Sequence, residues 1–142
     1  MHYPIFLDLT DRKVLVVGGG KVALRKIRGL LEAGANVTAV APRFESELAA
    51  MPIRRIRRKY RAPDLAGVSL VFAATDQRDV NRRIGAAAKR RGILANVADA
   101  PAECDFLVPA RLAKGSIQIA ISTGGTAPRI ASEMRKKLEQ IL

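Results

Sequence analysis

Three glycines near the start of the chain follow four apolar residues, 14–17, and precede a stretch with helical spacing. This is the order of a buried parallel strand, a tight turn and a helix start. Gly18, Gly20 and Ala23 fit the G-x-G-x-x-G/A pattern of dinucleotide-binding sites, although a glycine turn of another α/β fold is the alternative. The free amides of the helix start would face phosphates. The candidate cofactor-binding residues here are Gly18, Gly19, Gly20, Lys21, Val22 and Ala23.

Polar and small residues also stand at the ends of other predicted strands, where ligands of parallel sheets bind. Asp99 follows the strand predicted at residues 93–97 and is a candidate catalytic acid or base. Its alternative role is to cap the turn at Ala100-Pro101. Asn96 either faces the ligand or caps backbone groups. The remaining candidates at this edge are Pro42, Arg43, Ala74 and Thr75.

The usual ribose-binding carboxylate is missing from its expected place. It should stand at the end of the second strand, about 20 residues beyond the glycines. The sequence there reads Ala41-Pro42-Arg43, and the next carboxylate is Glu45. Arg43 could bind a ribose phosphate, which would favour NADP, or be solvated, and main-chain groups could hold the ribose instead.

A second turn rich in glycine and hydroxyl groups, residues 122–128, precedes the last predicted helix. Its amides could hold a carboxylate or phosphate. Ser122, Thr123, Gly124 and Gly125 are therefore candidate substrate-binding residues. The alternative is an ordinary strand–helix turn with Thr126 as N-cap and Pro128 in the first turn.

The order of elements predicts an α/β fold, a Rossmann-like doubly wound parallel sheet. Strands are predicted at residues 14–17, 37–40, 53–58, 70–74 and 93–97, with helices after the glycines and after Asp76, the expected N-cap. Residues 116–122 then alternate like a half-exposed strand, and the final helix has an apolar stripe and a Glu133–Lys137 pair. One strand and one helix are too few to form a hydrophobic core of their own, so this segment is predicted to be a dimerisation element. The stripe comprises Ile130, Met134, Leu138 and Ile141.

The composition is that of a globular chain with a strong basic excess. Its 25 Lys and Arg against 13 Asp and Glu give a net charge of +12, which attracts polyanions. Aromatic residues are only 4%, with no Trp and no helix-turn-helix or zinc pattern, which argues against nucleic acid. No apolar run is long enough for a membrane span. One His, one Cys and no secretory signal pattern predict a cytoplasmic protein without a metal site.

The densest block of positive charge has two interpretations. It is either a solvated edge strand whose cations prevent edge-to-edge pairing, or a direct contact surface for an acidic ligand. The sequence leaves both open. The block comprises Arg54, Arg55, Arg57, Arg58, Lys59 and Arg61.

Taken together, these motifs resemble the precorrin-2 dehydrogenase and sirohydrochlorin ferrochelatase family of sirohaem biosynthesis, which includes the N-terminal part of sirohaem synthases. The likeness runs in the same order along nearly the whole chain, and the strings in the second half are more specific than the glycine turn. The strings are Tyr3-Pro4-Ile5-Phe6-Leu7, residues 16–26, Ala73-Ala74-Thr75-Asp76, Val80-Asn81, residues 96–101, Phe106, Pro109-Ala110 and residues 121–128.

The resemblance implies an NAD-dependent dehydrogenase that oxidises precorrin-2, an acidic tetrapyrrole, to sirohydrochlorin. It implies that Asp99 takes part in dehydrogenation and that Pro42, Arg43, Ala74 and Thr75 join the glycine segment in binding NAD. Thr123 stands where some members carry a serine near the tetrapyrrole. The family forms homodimers through the segment after the Rossmann domain. Some members also insert ferrous iron, which makes that ion a further candidate substrate.

We therefore expect an NAD-binding domain at residues 1–112 and a dimerisation segment at 113–142, without the further helical domain that many members carry. The basic excess suits the many carboxylates of precorrin-2. The alternative is a non-catalytic Rossmann module that senses nucleotides, like those of potassium transport systems. The turn at 122–128 and the missing acid after the second strand argue against that alternative.

Overall fold

The computed structural model describes all 142 residues, and these divide into two compact units. The larger unit is Ile5–Asp105, and the smaller one combines Met1–Pro4 with Phe106–Leu142. The boundary expected between residues 112 and 113 falls inside a strand, β6 (Ala110–Lys114). This strand belongs to the smaller unit because it pairs only with the strand that follows it.

The larger unit is built on a parallel sheet with the strand order β3-β2-β1-β4-β5. The order reverses direction between β1 and β4, which creates a topological switch point at the carboxyl ends of these strands. This confirms the predicted Rossmann-like fold. The strands are β1 (Lys13–Val17), β2 (Asn36–Ala41), β3 (Arg54–Arg57), β4 (Leu70–Ala73) and β5 (Leu94–Val97).

Helices cover both faces of this sheet. Helix α2 (Arg78–Arg90) buries Ile84 in a core with Val71 and other residues of that face. Helix α1 (Lys21–Glu32) lies on the opposite face, where its Lys26 contacts Phe72, the neighbour of Val71 along β4. Because side chains alternate along a strand, these two contacts place the helices on opposite sides.

The prediction that Asp76 is the N-cap of α2 is wrong. The N-cap is Gln77, and it makes no side-chain cap bond. The side chain of the buried Asn81 instead binds the turn before the helix, with Oδ1 accepting from the Thr75 amide at 3.0 Å and Nδ2 donating to the Thr75 carbonyl at 3.0 Å. These bonds fix the turn from inside the helix, so no cap at Asp76 is needed.

The basic block lies at and beyond β3, the edge strand of the sheet. Two of its arginines donate hydrogen bonds to other groups of the chain. Arg55 donates from Nη1 to the carbonyl oxygens of Leu48 and Met51 at 2.9 and 3.1 Å. Arg58 donates to both carboxylate oxygens of Asp64 at 2.6 and 2.9 Å. These hydrogen bonds connect β3 and the residue after it to the turns that precede and follow the strand. Lys59, in contrast, lines the cleft described below.

The Arg58–Asp64 pair is expected to make the stability of the fold depend on pH. The hydrogen bonds from Arg58, followed by the Arg61 amide at 2.8 Å, hold the pKa of Asp64 below its usual value of 3.8 against the effect of burial. A lowered folded-state pKa stabilises the fold above pH 3.8, and this contribution is lost as the pH falls through the folded-state pKa. Asp64→Asn should therefore lower Tm at pH 7, and the difference from the parent should shrink in thermal melts towards pH 2. An equal Tm difference at both pH values would contradict this prediction.

The smaller unit contains an antiparallel hairpin and one helix. Strand β6 pairs with β7 (Ile117–Ile121) through a turn at Gly115, and helix α3 (Pro128–Ile141) follows. Strand β6 was not predicted from the sequence. The predicted Glu133–Lys137 pair is also wrong, because Glu133 bonds Arg129 at 3.3 Å. At 14 residues α3 is the longest helix, and no helix of the chain is long and apolar enough to cross a bilayer.

Candidate active site

A cleft of about 1280 Å³ opens at the carboxyl ends of β1, β2 and β4, the switch point of the sheet. Its lining brings together most of the residues that the sequence singled out, although they come from four separate segments. These are Gly18, Gly19, Gly20, Lys21, Val22, Pro42, Arg43, Ala74, Thr75 and Asp99. Ala23 is fully buried beneath the cleft, where its small side chain lets α1 pack close to the sheet.

The three glycines of the turn have different surroundings. Gly18 has φ +136°, and a Cβ built there would lie 2.3 Å from the carbonyl oxygen of Ala74. A Cβ on Gly19 would lie 2.0 Å from the carbonyl oxygen of Arg43. A Cβ on Gly20 would meet nothing within 4 Å. The first two glycines therefore permit close packing within the protein, whereas Gly20 leaves open space on the cleft side.

The start of α1 has the features of an anion-binding site. Its N-cap, Gly20, has no side chain to offer, and the first turn contains no acidic residue. The first amide of the helix to bond inside it is that of Leu24, which donates to the Gly20 carbonyl at 2.9 Å. The preceding amides have no partner within the helix, and together with its dipole they fit the pyrophosphate of a dinucleotide.

The cleft is extended by residues that the sequence analysis did not assign to a site. Tyr60 is one of its lining residues, but its hydroxyl is buried without a hydrogen-bond partner, and burial raises the pKa of this phenol. Phe44 lies in the lining and is contacted on its ring by the Arg57 guanidinium at 5.6 Å. Arg83 and Arg90 also line it, and their spacing of seven on α2 is the only signal that could have linked them.

The cleft carries an excess of positive charge. Its lining includes five cations and three carboxylates, of which two, Asp76 and Asp99, stand at the ends of β4 and β5. Such a concave basic surface attracts polyanions such as a dinucleotide. The cations are Lys21, Arg43, Lys59, Arg83 and Arg90.

Asp99 occupies a fixed but exposed position at the mouth of this cleft. Its backbone has φ +59°, in the left-handed region that aspartate tolerates better than most residues. Backbone hydrogen bonds hold the residues on both sides of Asp99. The Ala98 amide donates to the Ala73 carbonyl oxygen at 2.9 Å, and the Ala100 amide donates to the Val97 carbonyl oxygen at 3.2 Å. The carboxylate is therefore presented at the cleft by a constrained turn.

Cys104 supports the Asp99 turn from the outer edge of β5. Its Sγ accepts from the Val97 amide at 3.2 Å and donates to a carbonyl oxygen, that of Val97 at 3.2 Å or that of Ala100 at 3.4 Å. The thiol is half-buried and free. This role of Cys104 was not predicted from the sequence.

A half-buried cation on α1, Lys26, shares the environment of Asp99. Its Nζ lies 6.0 Å from the centre of the Phe72 ring. Burial lowers the pKa of Lys26, as does the charge of Arg25, while Cys104 and Asp99 oppose this shift. Lys26 and Asp99 therefore interact electrostatically, which the sequence pattern alone could not indicate.

The predicted substrate-binding residues lie elsewhere. Asn96 is buried within β5, opposite Phe72 in the sheet register, and is not part of the cleft lining. Ser122, Thr123, Gly124 and Gly125 form the turn between β7 and α3 in the smaller unit. The N-cap of α3 is Ala127 and not Thr126, whose hydroxyl instead donates to the Thr123 carbonyl oxygen at 2.7 Å.

Comparison with known proteins gives one consistent result. A family model described as putative NAD(P)-binding matches residues 5–110, and one described as sirohaem biosynthesis protein central matches residues 114–141. The chain belongs to the sirohaem synthase family of NAD(P)-binding proteins. It therefore binds a nicotinamide cofactor, and the glycine turn and the open helix start fit that group.

The similar proteins differ from this chain in length. The siroheme synthase of Methylococcus capsulatus is 45% identical over 97% of this chain, and that of Ectopseudomonas mendocina is 46% identical over 96%. The chain spans about 30% of the length of these curated relatives. A solved structure of SirC, precorrin-2 dehydrogenase, matches with a TM-score of 0.85 and 33% identity, covering 99% of this chain and 71% of that one.

Proposed function

We propose that the chain is a precorrin-2 dehydrogenase that oxidises precorrin-2 to sirohydrochlorin with NAD, in sirohaem biosynthesis. The observation that carries this proposal is the position of Asp99, which shares one cleft with the glycine turn and the open start of α1. The similarity to SirC, precorrin-2 dehydrogenase, supports the same substrate. The basic lining also suits a tetrapyrrole with many carboxylates.

The oxidation removes a hydride and a proton from the substrate, and the nicotinamide supplies the hydride acceptor when it is bound. The glycine turn and the start of α1 would hold the pyrophosphate of the bound dinucleotide. The Asp99 carboxylate takes up the proton as the hydride leaves. The backbone bonds of Ala98 and Ala100 hold the turn that carries this carboxylate.

Further residues are proposed for the substrate and for the assembly. The turn of Ser122, Thr123, Gly124 and Gly125 would bind carboxylates of the tetrapyrrole through its amides and hydroxyls, whereas the burial of Asn96 within β5 favours its alternative role of bonding backbone groups. The single free thiol fits a reducing compartment, the cytoplasm. The exposed apolar side chains of α3 support a homodimer formed through the smaller unit.

The proposed homodimer predicts the effect of a charge on the exposed stripe of α3. Ile130, Met134 and Ile141 are 52%, 49% and 77% exposed, unlike Leu138 of the predicted stripe, which is half-buried. Met134→Lys should shift the chain from dimer to monomer in sedimentation velocity, because dimerisation would bury the new charge without a partner. Gln140→Lys adds the same charge elsewhere on the helix and should remain dimeric. A Met134→Lys protein that stays dimeric would place the interface elsewhere.

The catalytic proposal is tested by spectroscopy. Mixing the chain with precorrin-2 and NAD should produce NADH and the absorption spectrum of sirohydrochlorin, with a slower reaction when NADP replaces NAD. Ferrous iron added to the product in the same cuvette tests metal insertion. Tight dinucleotide binding without any spectral change of the tetrapyrrole would instead support a nucleotide-sensing module.

A further inference from the structure

The loop after β2 folds back onto the glycine turn, which gives Glu45 a position that its place in the sequence does not suggest. Strand β2 ends at Ala41, four residues before this glutamate. The Glu45 amide donates to the carbonyl oxygen of Gly19 at 2.7 Å. The close approach of Arg43 to Gly19, where no Cβ would fit, allows this bond. Glu45 therefore lies beside the glycine turn and lines the cleft.

The Glu45 side chain has no structural role that would explain its placement. It stands at the N-cap position of the short 3-10 helix Ser46–Ala50, but it makes no cap hydrogen bond. Its carboxylate takes part in no ion pair, whereas Glu47, two residues further on, pairs with Arg28. The residue is only half-buried, so its carboxylate is available to a ligand in the cleft.

A carboxylate in this place can distinguish two nicotinamide dinucleotides. It accepts hydrogen bonds from the hydroxyls of a ribose, and it repels the phosphate that NADP carries on its 2′-oxygen. This discrimination is needed here, because Arg43 and the other cations of the cleft would by themselves favour the additional phosphate.

We infer that Glu45 replaces the carboxylate that is missing from the end of β2, binds the adenosine ribose and sets a preference for NAD over NADP. The inference deepens the proposed function, because it rests on dinucleotide binding in this cleft. It does not depend on the identity of the tetrapyrrole. Its test can therefore use binding of the cofactor alone.

The test compares Glu45→Gln with Glu47→Gln in the 142-residue chain. Both variants remove one negative charge near the loop, but Glu47 is exposed and does not line the cleft. Dissociation constants for NAD and NADP are measured by calorimetry without tetrapyrrole. Glu45→Gln should lower the ratio of the NADP constant to the NAD constant by about 10-fold or more, which corresponds to about 1.4 kcal/mol. Glu47→Gln should leave the ratio unchanged.

Each other outcome identifies what has failed. An unchanged ratio in Glu45→Gln, with both dinucleotides bound by the parent chain, would overturn the inference and leave the dehydrogenase proposal intact. An equal change in both variants would assign the preference to the overall charge and would also overturn it. Failure of the parent chain to bind either dinucleotide would overturn both the inference and the proposed function.

Discussion

Asp99→Asn is expected to lower kcat for precorrin-2 oxidation by about 10²- to 10⁴-fold, the usual contribution of a positioned acid or base. The substitution removes the proton acceptor but keeps the size of the side chain. It should not disturb the turn, because asparagine also tolerates the left-handed backbone found at φ +59°. The dissociation constant for NAD and the Tm should therefore stay at the parent values. Stopped-flow absorption of the tetrapyrrole and a thermal melt measure the two sides of this prediction.

A matched control comes from Asp11, the other non-glycine residue with positive φ, at 58°. It lies in the turn before β1, where its amide donates to the Gly34 carbonyl at 3.0 Å, and it is not part of the cleft. Asp11→Asn makes the same chemical change in the same backbone conformation and should retain full turnover. If Asp99→Asn also kept full turnover while it bound NAD, the proton would have to leave by another route, and Lys26 would be the next group to test.

The parallel sheet could be predicted because each of its central strands is a run of residues buried on both faces. The segment of β1 from Val14 to Val17 is at most 2% exposed, and β4 is buried throughout. Burial of this kind forces continuous apolar sequence, which is visible without a structure. The glycine turn was equally visible, because a positive φ at Gly18 and a contact as close as that at Gly19 admit no other residue.

The hairpin strand β6 could not be predicted for the opposite reason. Its residues read Ala-Arg-Leu-Ala-Lys, and none is fully buried, so no regular apolar pattern is required of them. The start of α2 was misassigned because a local rule, an acid before a helix, competed with a contact from Asn81 one turn further on. Sequence spacing alone does not show which of two polar residues makes the bond.

The site was predictable only where its residues follow the strands directly. Pro42, Arg43, Ala74, Thr75 and Asp99 all do so, and the parallel sheet gathers them at one edge. Lys26 and Tyr60 do not follow this rule, because one comes from the middle of a helix and the other from a loop beyond the edge strand. The position of Glu45 in the cleft depends on the loop after β2, which folds back onto the glycine turn. A main-chain hydrogen bond holds this loop, and residue types along the sequence do not reveal such a bond.

Gly20→Ala is expected to weaken NAD binding by about 10- to 100-fold, equivalent to about 1.4 to 2.7 kcal/mol, without reducing stability. The backbone of Gly20 has φ −90° and ψ −164°, which other residues adopt without strain. A Cβ there would meet no protein atom within 4 Å, so the added methyl group would project into space that the fold leaves open. If the pyrophosphate passes over this point at the start of α1, the methyl group would displace it.

Gly18→Ala provides the contrast, because it adds the same methyl group two residues earlier. There the Cβ would lie 2.3 Å from a backbone oxygen at φ +136°, so the fold should lose at least about 2 kcal/mol of stability. Denaturant unfolding and NAD titration on the two variants separate the effects: Gly20→Ala should change only binding, whereas Gly18→Ala should first change stability. If Gly20→Ala bound NAD as tightly as the parent chain, the open space would not hold the pyrophosphate. The cofactor would then have to bind in the cleft in another orientation. The proposed role of Asp99 as proton acceptor beside the nicotinamide would no longer follow from its position.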